Sequence, residues 1–165
     1  MWAFGLAALI VALDQATKLL IQATMVPGQS IPVLGWLLRL TYIKNPSAAF
    51  GLAFGTLNFY ILFGVVASLV VSWYLLQLPR REYWPRIALA LILAGAVGNL
   101  LDRIRLGEVI DFIQVGLSER VVWPIFNVAD MGVSTGVTLL LLYFIVVGEP
   151  QPTATGPDGD GNGGA

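Results

Sequence analysis

The chain has 165 residues, of which 57% are hydrophobic and only 12% charged, with a mean hydropathy of +0.79. A soluble domain of this size carries about twice that charge fraction, so the composition reads as an integral membrane protein folded as one compact domain. No Cys and no His occur, which excludes disulfides, thiolate nucleophiles, Cys- or His-ligated metal and any Ser-His-Asp triad. A net charge of −1 argues against a nucleic-acid partner, which would call for a clustered basic excess.

A transmembrane helix needs roughly 20 apolar residues, so four spans and their loops use up the sequence. The first runs from about Trp2 to Ile21 and contains Asp14 and Lys18. It has no basic leader, a carboxylate interrupts its apolar stretch, and no A-x-A site follows, so it reads as a retained span rather than a signal peptide. From Val26 to Ala53, Pro27, Gly28, Pro32, Gly35 and Pro46 break any long helix. Between them the aromatic and β-branched run from Trp36 to Ile43 predicts short strands in a small extramembrane sheet. Trp36, Tyr42 and Trp123 read as its interfacial anchors.

The second span is about Leu57 to Leu78, closed by a turn carrying Arg80, Arg81 and Arg86. The third, about Ile87 to Leu101, is short for a crossing, so its end is expected in a wet or protein-lined pocket. A loop from Asp102 to Ala129 follows, then a fourth span from about Asp130 to Val147. Residues 148–165 are rich in Pro, Gly and Asp and predict a disordered tail after a single domain over 1–147. The basic turn between spans two and three places that turn and both termini in the cytoplasm. Arg39, Lys44, Arg103, Arg105 and Arg120 fall on the outer side, and several of them are expected to be tied up in folded structure.

This topology gathers the polar residues at the outer face: Asp14, Lys18, Asn45, Asn99, Asp102, Arg103, Asp111, Asn127 and Asp130. A charged group at the bilayer centre costs at least roughly 2.5–3.5 kcal/mol, so such residues are kept for a partner or a function. Asp14 and Lys18 share one helix face at i,i+4. They form a salt bridge that eases insertion, or they hold a substrate or a neighbouring loop. Asn99 and Arg103, also i,i+4, either end the helix with an ion pair or aim donors into a site. Asp130 alone passes as a helix N-cap and Asp111 alone as an odd strand residue. Placed together they make a carboxylate pair. Two carboxyls about 3 Å apart share one proton, so one can take a proton from water while the other protonates a scissile carbonyl.

The motifs resemble those of the prolipoprotein signal peptidase family, signal peptidase II. They are Asp14-Gln15-Ala16-Thr17-Lys18, Asn45-Pro46-Ser47-Ala48-Ala49-Phe50-Gly51, Gly95 to Arg103, Gly107 to Phe112, and Phe126 to Asp130. Each is modest alone, but five in order at matching topological positions are specific, and the resemblance extends from about Trp2 to Val147. It departs at Ser47, where Gly is usual, and at Met131, where a small residue is usual.

The resemblance implies a four-helix membrane protein of the bacterial inner membrane with a β-rich platform on its outer face. It implies an aspartic endopeptidase that removes the signal peptide of diacylglyceryl-modified prolipoproteins on the N-terminal side of the lipidated Cys. Asp111 and Asp130 would be catalytic; Asp14, Asn45, Asn99, Arg103 and Asn127 would line the site, with Lys18 and Asp102 in support. Cyclic peptides of the globomycin type are its implied inhibitors. No cofactor, metal or obligate protein partner is expected.

Other classes fit less well. A transporter or proton relay would spread ionisable groups through the full membrane depth. A Ser-Lys protease would need a serine near Lys18, whereas Ser30, Ser47 and Ser118 read as loop residues. A non-catalytic assembly subunit is the third alternative.

Overall fold

The computed structural model describes residues 1–46, 56–116, 118 and 121–147. Residues 47–55, which hold Ser47 and the remainder of the Asn45–Gly51 motif after Pro46, lie outside these, as do Arg120 and the expected tail. Four helices are long and apolar enough to span a bilayer: α1 (Trp2–Thr24), α2 (Leu57–Gln77), α3 (Tyr83–Leu106) and α4 (Val128–Val147). A three-stranded antiparallel sheet in the order β1-β2-β3 completes the fold, with β1 at Ser30–Leu34, β2 at Leu38–Asn45 and β3 at Val109–Val115.

Helix α1 has no proline and ends just before Pro27, where Met25 turns extended and its N–H still bonds to Ile21 O. The chain then forms the β1–β2 hairpin, whose turn needs Gly35 at φ +54°. A side chain there would be strained, whereas glycine adopts positive φ freely. At the far end of the bundle, α2 passes into α3 through a tight turn at Pro79.

Helix α3 is longer than the sequence predicts. It runs 24 residues, about 36 Å at 1.5 Å per residue, and continues five residues past Leu101. Asp102 and Arg103 are costly in an apolar span. Partners remove that cost: Asp102 is buried in an ion pair with Lys18. The helix stops instead at Gly107, left-handed at φ +78°, whose N–H bonds to Arg103 O. The end of the third span is therefore protein-lined, and half of the anticipated 102–129 loop is helix and strand.

Helix α3 is the axis of the bundle, packing against α1, α2 and α4. Its contact with α4 is close because Gly95 and Gly98 face Ala129 and Val133, while Gly136 of α4 faces Ala88. Outward side chains are apolar, with Phe63 66% and Ile145 78% exposed, the pattern of helices solvated by lipid rather than water. The sheet sits on one end of the bundle, where Tyr42, Ile110 and Phe112 pack on Ile21 of α1 and on Met25 just after it. Tyr42 is therefore a core residue, 3% exposed, and not an interfacial anchor; Trp36 and Trp123 do face outward. Its alternation in β2 directs it inward, toward α1.

Candidate active site

Among the described residues, the buried polar ones, Arg86 excepted, meet where the sheet joins the helices: Asp14, Lys18, Asp102, Asp111 and Asn127 are each no more than 2% exposed. Their arrangement begins with α1. Lys18 bonds Asp14 Oδ2 at 2.9 Å, Asp102 Oδ2 at 2.8 Å and the Oδ1 of Asn99 at 3.1 Å. One ammonium with three donors thus meets three acceptors, which is what a buried lysine requires.

From that centre two arms extend. Asp14 Oδ1 accepts the Ala129 N–H at 2.9 Å, at the start of α4. Asp102 Oδ2 accepts the Ile110 N–H at 3.1 Å, next to Asp111 on β3. The Asp14–Lys18 pair therefore holds a neighbouring segment as well as neutralising itself, so both sequence readings of it apply.

Asn127 joins the two candidate catalytic carboxylates. Its Nδ2 donates to Asp111 Oδ1 at 2.7 Å and its backbone N–H to Asp130 Oδ2 at 3.2 Å, while Asp130 N–H donates to Asn127 Oδ1 at 2.9 Å. The last two bonds form a reciprocal cap on α4. Asn127 is thus the cap and Asp130 its first-turn partner, where the sequence suggested Asp130 as the N-cap. A carboxylate at the first turn is also favoured by the helix dipole. Asn99 Nδ2 donates to Asp130 Oδ1 at 2.7 Å and Asn45 Nδ2 to Asp111 Oδ2 at 2.9 Å. Each carboxylate is held on both oxygens by amides, leaving its other lone pairs for a reactant.

Burial pushes the Asp111 carboxyl up to about 6; the hydrogen bond from Asn45 opposes this and the negative Asp130 adds to it.

The structure brings together Asp14, Lys18, Asn45, Asn99, Asp102, Asp111, Asn127 and Asp130. Arg103 sits at the margin: its guanidinium reaches Asn99 O at 3.4 Å and lies over the Tyr60 ring, 5.4 Å from its centre. Gln15 completes the cluster and was not singled out by sequence. Its Nε2 lies 3.1 Å from Asp14 Oδ2, 3.0 Å from Asp102 Oδ1 and 3.2 Å from Gly98 O. The legible signal was an amide flanked by Asp14 and Lys18 inside an apolar span. Ser30 proves to be a strand residue bonded to Thr41 and Arg39, far from any role at Lys18. The outer-side cations are tied up as expected where they are described: Arg39 on Ser30, Lys44 on Glu108 at 2.8 Å, Arg105 on Gln15.

Four spanning helices with a polar carboxylate cluster beneath a small sheet define a polytopic membrane protein of enzymatic type. Residues 6–146 match the family model for signal peptidase (SPase) II. A lipoprotein signal peptidase of Geobacter sulfurreducens is 47% identical over 136 residues, covering 81% of this chain and 84% of that protein. One from Moorella thermoacetica is 39% identical over 135 residues, covering 82% and 87%. A solved bacterial membrane enzyme superposes with a TM-score of 0.80 at 30% identity, covering 91% of this chain and 93% of its own. The chain belongs to the signal peptidase II family, and is a multi-pass membrane protease of that family.

Proposed function

We propose that this protein removes the signal peptide from diacylglyceryl-modified prolipoproteins, cutting on the N-terminal side of the lipidated Cys with Asp111 and Asp130 as an aspartic dyad. The observation that carries the reading is Asn127, hydrogen-bonded to both carboxylates at once. The dyad holds one proton. Its ionised member takes a proton from water as the oxygen attacks the scissile carbonyl carbon, and its protonated member donates to the carbonyl oxygen. In the tetrahedral diol the C–N bond then breaks, a dyad proton goes to the departing amine, and the second hydroxyl proton returns to the dyad. One peptide bond and one water are consumed, and the dyad ends with the single proton it began with. Asn45, Asn99 and Asn127 fix the carboxylates, Lys18 with Asp14 and Asp102 fixes the elements that carry them, and Arg103 stands at the margin as a donor for substrate.

The substrate's signal peptide is itself a membrane helix, so the peptide bond must meet the dyad from within the bilayer. The dyad lies at the sheet end of the bundle, opposite the Arg80–Arg81 turn. With that basic turn cytoplasmic, the site faces outward from the bacterial inner membrane and both helical termini face the cytoplasm. Residues 1–147 act as one domain.

The test is incubation of the purified chain with a diacylglyceryl-modified precursor. Wild type is expected to release the signal peptide, while Asp111→Asn and Asp130→Asn each lose at least roughly a thousandfold in rate with insertion and folding intact. Full turnover by either variant would remove the dyad from the mechanism. Globomycin-type cyclic peptides are expected to block the wild-type reaction.

A further inference from the structure

Helices α1 and α2 each pack on α3 but scarcely on each other. The gap between them is a groove of about 500 Å³. Its α1 wall is a single helical stripe: Phe4, Ala7, Ala8, Val11, Ala12 and Gln15. Eleven rises of 1.5 Å from Phe4 to Gln15 make that stripe about 16 Å long. Ser68 and Ser72 of α2 form the opposite wall, with Ala94 and Val97 of α3 as floor. The Ser68 hydroxyl is bonded back to Gly64 O at 2.7 Å, so the surface there is apolar in effect. Toward the Arg80–Arg81 turn the groove closes, where Ala3, Leu75 and Leu89 pack in one cluster.

The length of the groove points to its occupant. A lipid chain fits, because one leaflet of hydrocarbon is about 15 Å deep, the length of the stripe. The open end carries the second signal. Arg105, exposed in the last turn of α3, donates to Gln15 Oε1 at 3.0 Å and makes no ion pair among the described residues. A planar guanidinium suits a phosphate, and a neutral diacylglyceryl group would make no use of it.

We propose that this groove binds one phospholipid, with an acyl chain along the α1 stripe and its phosphate on Arg105. The proposal is independent of the peptidase reading, because the groove and Arg105 lie outside the dyad. It does touch the polar cluster, since Gln15 takes Arg105 on its oxygen and faces Asp14 and Asp102 with its nitrogen. A phosphate on Arg105 would hold Gln15 in that bridging orientation.

The test is native mass spectrometry of the full chain with dioleoylphosphatidylglycerol, and with diolein as the phosphate-free counterpart. Wild type should retain one phosphatidylglycerol and release diolein. Arg105→Gln should weaken that retention by about tenfold or more, the weight of a charge-assisted hydrogen bond. Arg81→Gln, which removes a cation at the other end of the bundle, should retain the lipid as wild type does. Ala12→Phe, or Ser72→Leu from the facing wall if the first does not fold, should displace it by filling the groove. Equal retention of diolein, or equal losses in Arg105→Gln and Arg81→Gln, would overturn the proposal and leave only general lipid solvation of a basic surface.

Discussion

Asn45 offers the cleanest handle on the proposed chemistry, because it touches Asp111 at an oxygen that Asn127 does not use. Its N–H stabilises the ionised carboxylate and so opposes the upward push of burial. In Asn45→Ala that opposition is gone, and the Asp111 carboxyl keeps its proton to a higher pH. A hydrogen bond to a charged group is worth about 1.5–3 kcal/mol and one pH unit about 1.4 kcal/mol. The dyad needs one proton, so the alkaline fall in kcat/KM should move up by about one unit in the variant. A pH profile of wild type against Asn45→Ala reads this directly, and an unmoved alkaline limb would separate Asn45 from the proton chemistry. At this scale the sequence was informative about identity and mute about pairing. The i,i+4 spacing foretold the Asp14–Lys18 bridge, because helix geometry is local. That Asp14 also reaches the N–H of Ala129, 115 residues away, depends on which helices become neighbours, and no local pattern encodes that.

Elements carry the site because their ends are pinned. Helix α4 begins at the Asn127–Asp130 cap and at the Ala129 N–H held by Asp14, so its first turn cannot shift without moving Asp130. Gly98 of α3 permits this approach: a Cβ there would come within 2.7 Å of Asp14 Oδ2 and 3.1 Å of the Ala129 Cβ. Gly98→Ala should therefore push Asp14 off α4, at a cost of about 1–3 kcal/mol typical of overpacking. Thermal unfolding in detergent should show a lower Tm, and cleavage should fall in the same variant. A variant with wild-type Tm and rate would mean that the contact has no bearing on the dyad. The boundary of α3 was misread from sequence for a related reason. Charges at Asp102, Arg103 and Arg105 look like the end of a membrane helix until their partners are known. Lys18 and Gln15 of α1 supply partners for Asp102 and Arg105 across the bundle, and Arg103 bonds to the Asn99 carbonyl one turn back on α3, so the helix runs on to Gly107, which does stop it. The strands were legible in part: Leu38–Ile43 of the predicted run and the strand-like Val109–Ile113 run became sheet, whereas Trp36 and Leu37 form the hairpin turn and β1 at Ser30–Leu34 was not anticipated.

At the scale of the whole molecule, the number of spans and the placing of polar residues at one end were both legible, because lipid imposes length and apolarity on any segment that crosses it. The pairing of β2 with β3 was not, although it decides the site: that pairing aligns Ile43 with Asp111 and brings Asn45 beside it. Orientation in the membrane remains a matter of charge. Arg80 and Arg81 lie at the turn between α2 and α3, whereas at the sheet end Arg39, Lys44 and Arg105 are engaged by Ser30, Glu108 and Gln15. The short turn between α2 and α3 concentrates its arginines within a few residues of two helix ends, so that turn should be cytoplasmic. The absence of native cysteine makes this directly measurable by single-cysteine labelling in intact cells. Arg81→Cys and Ser118→Cys both sit at exposed positions, on opposite ends of the bundle. A membrane-impermeant maleimide should label Ser118→Cys from outside and reach Arg81→Cys only after the cells are opened. The reverse pattern would put the carboxylates on the cytoplasmic side, where a signal peptide already carried across the membrane could not present its cleavage site to them.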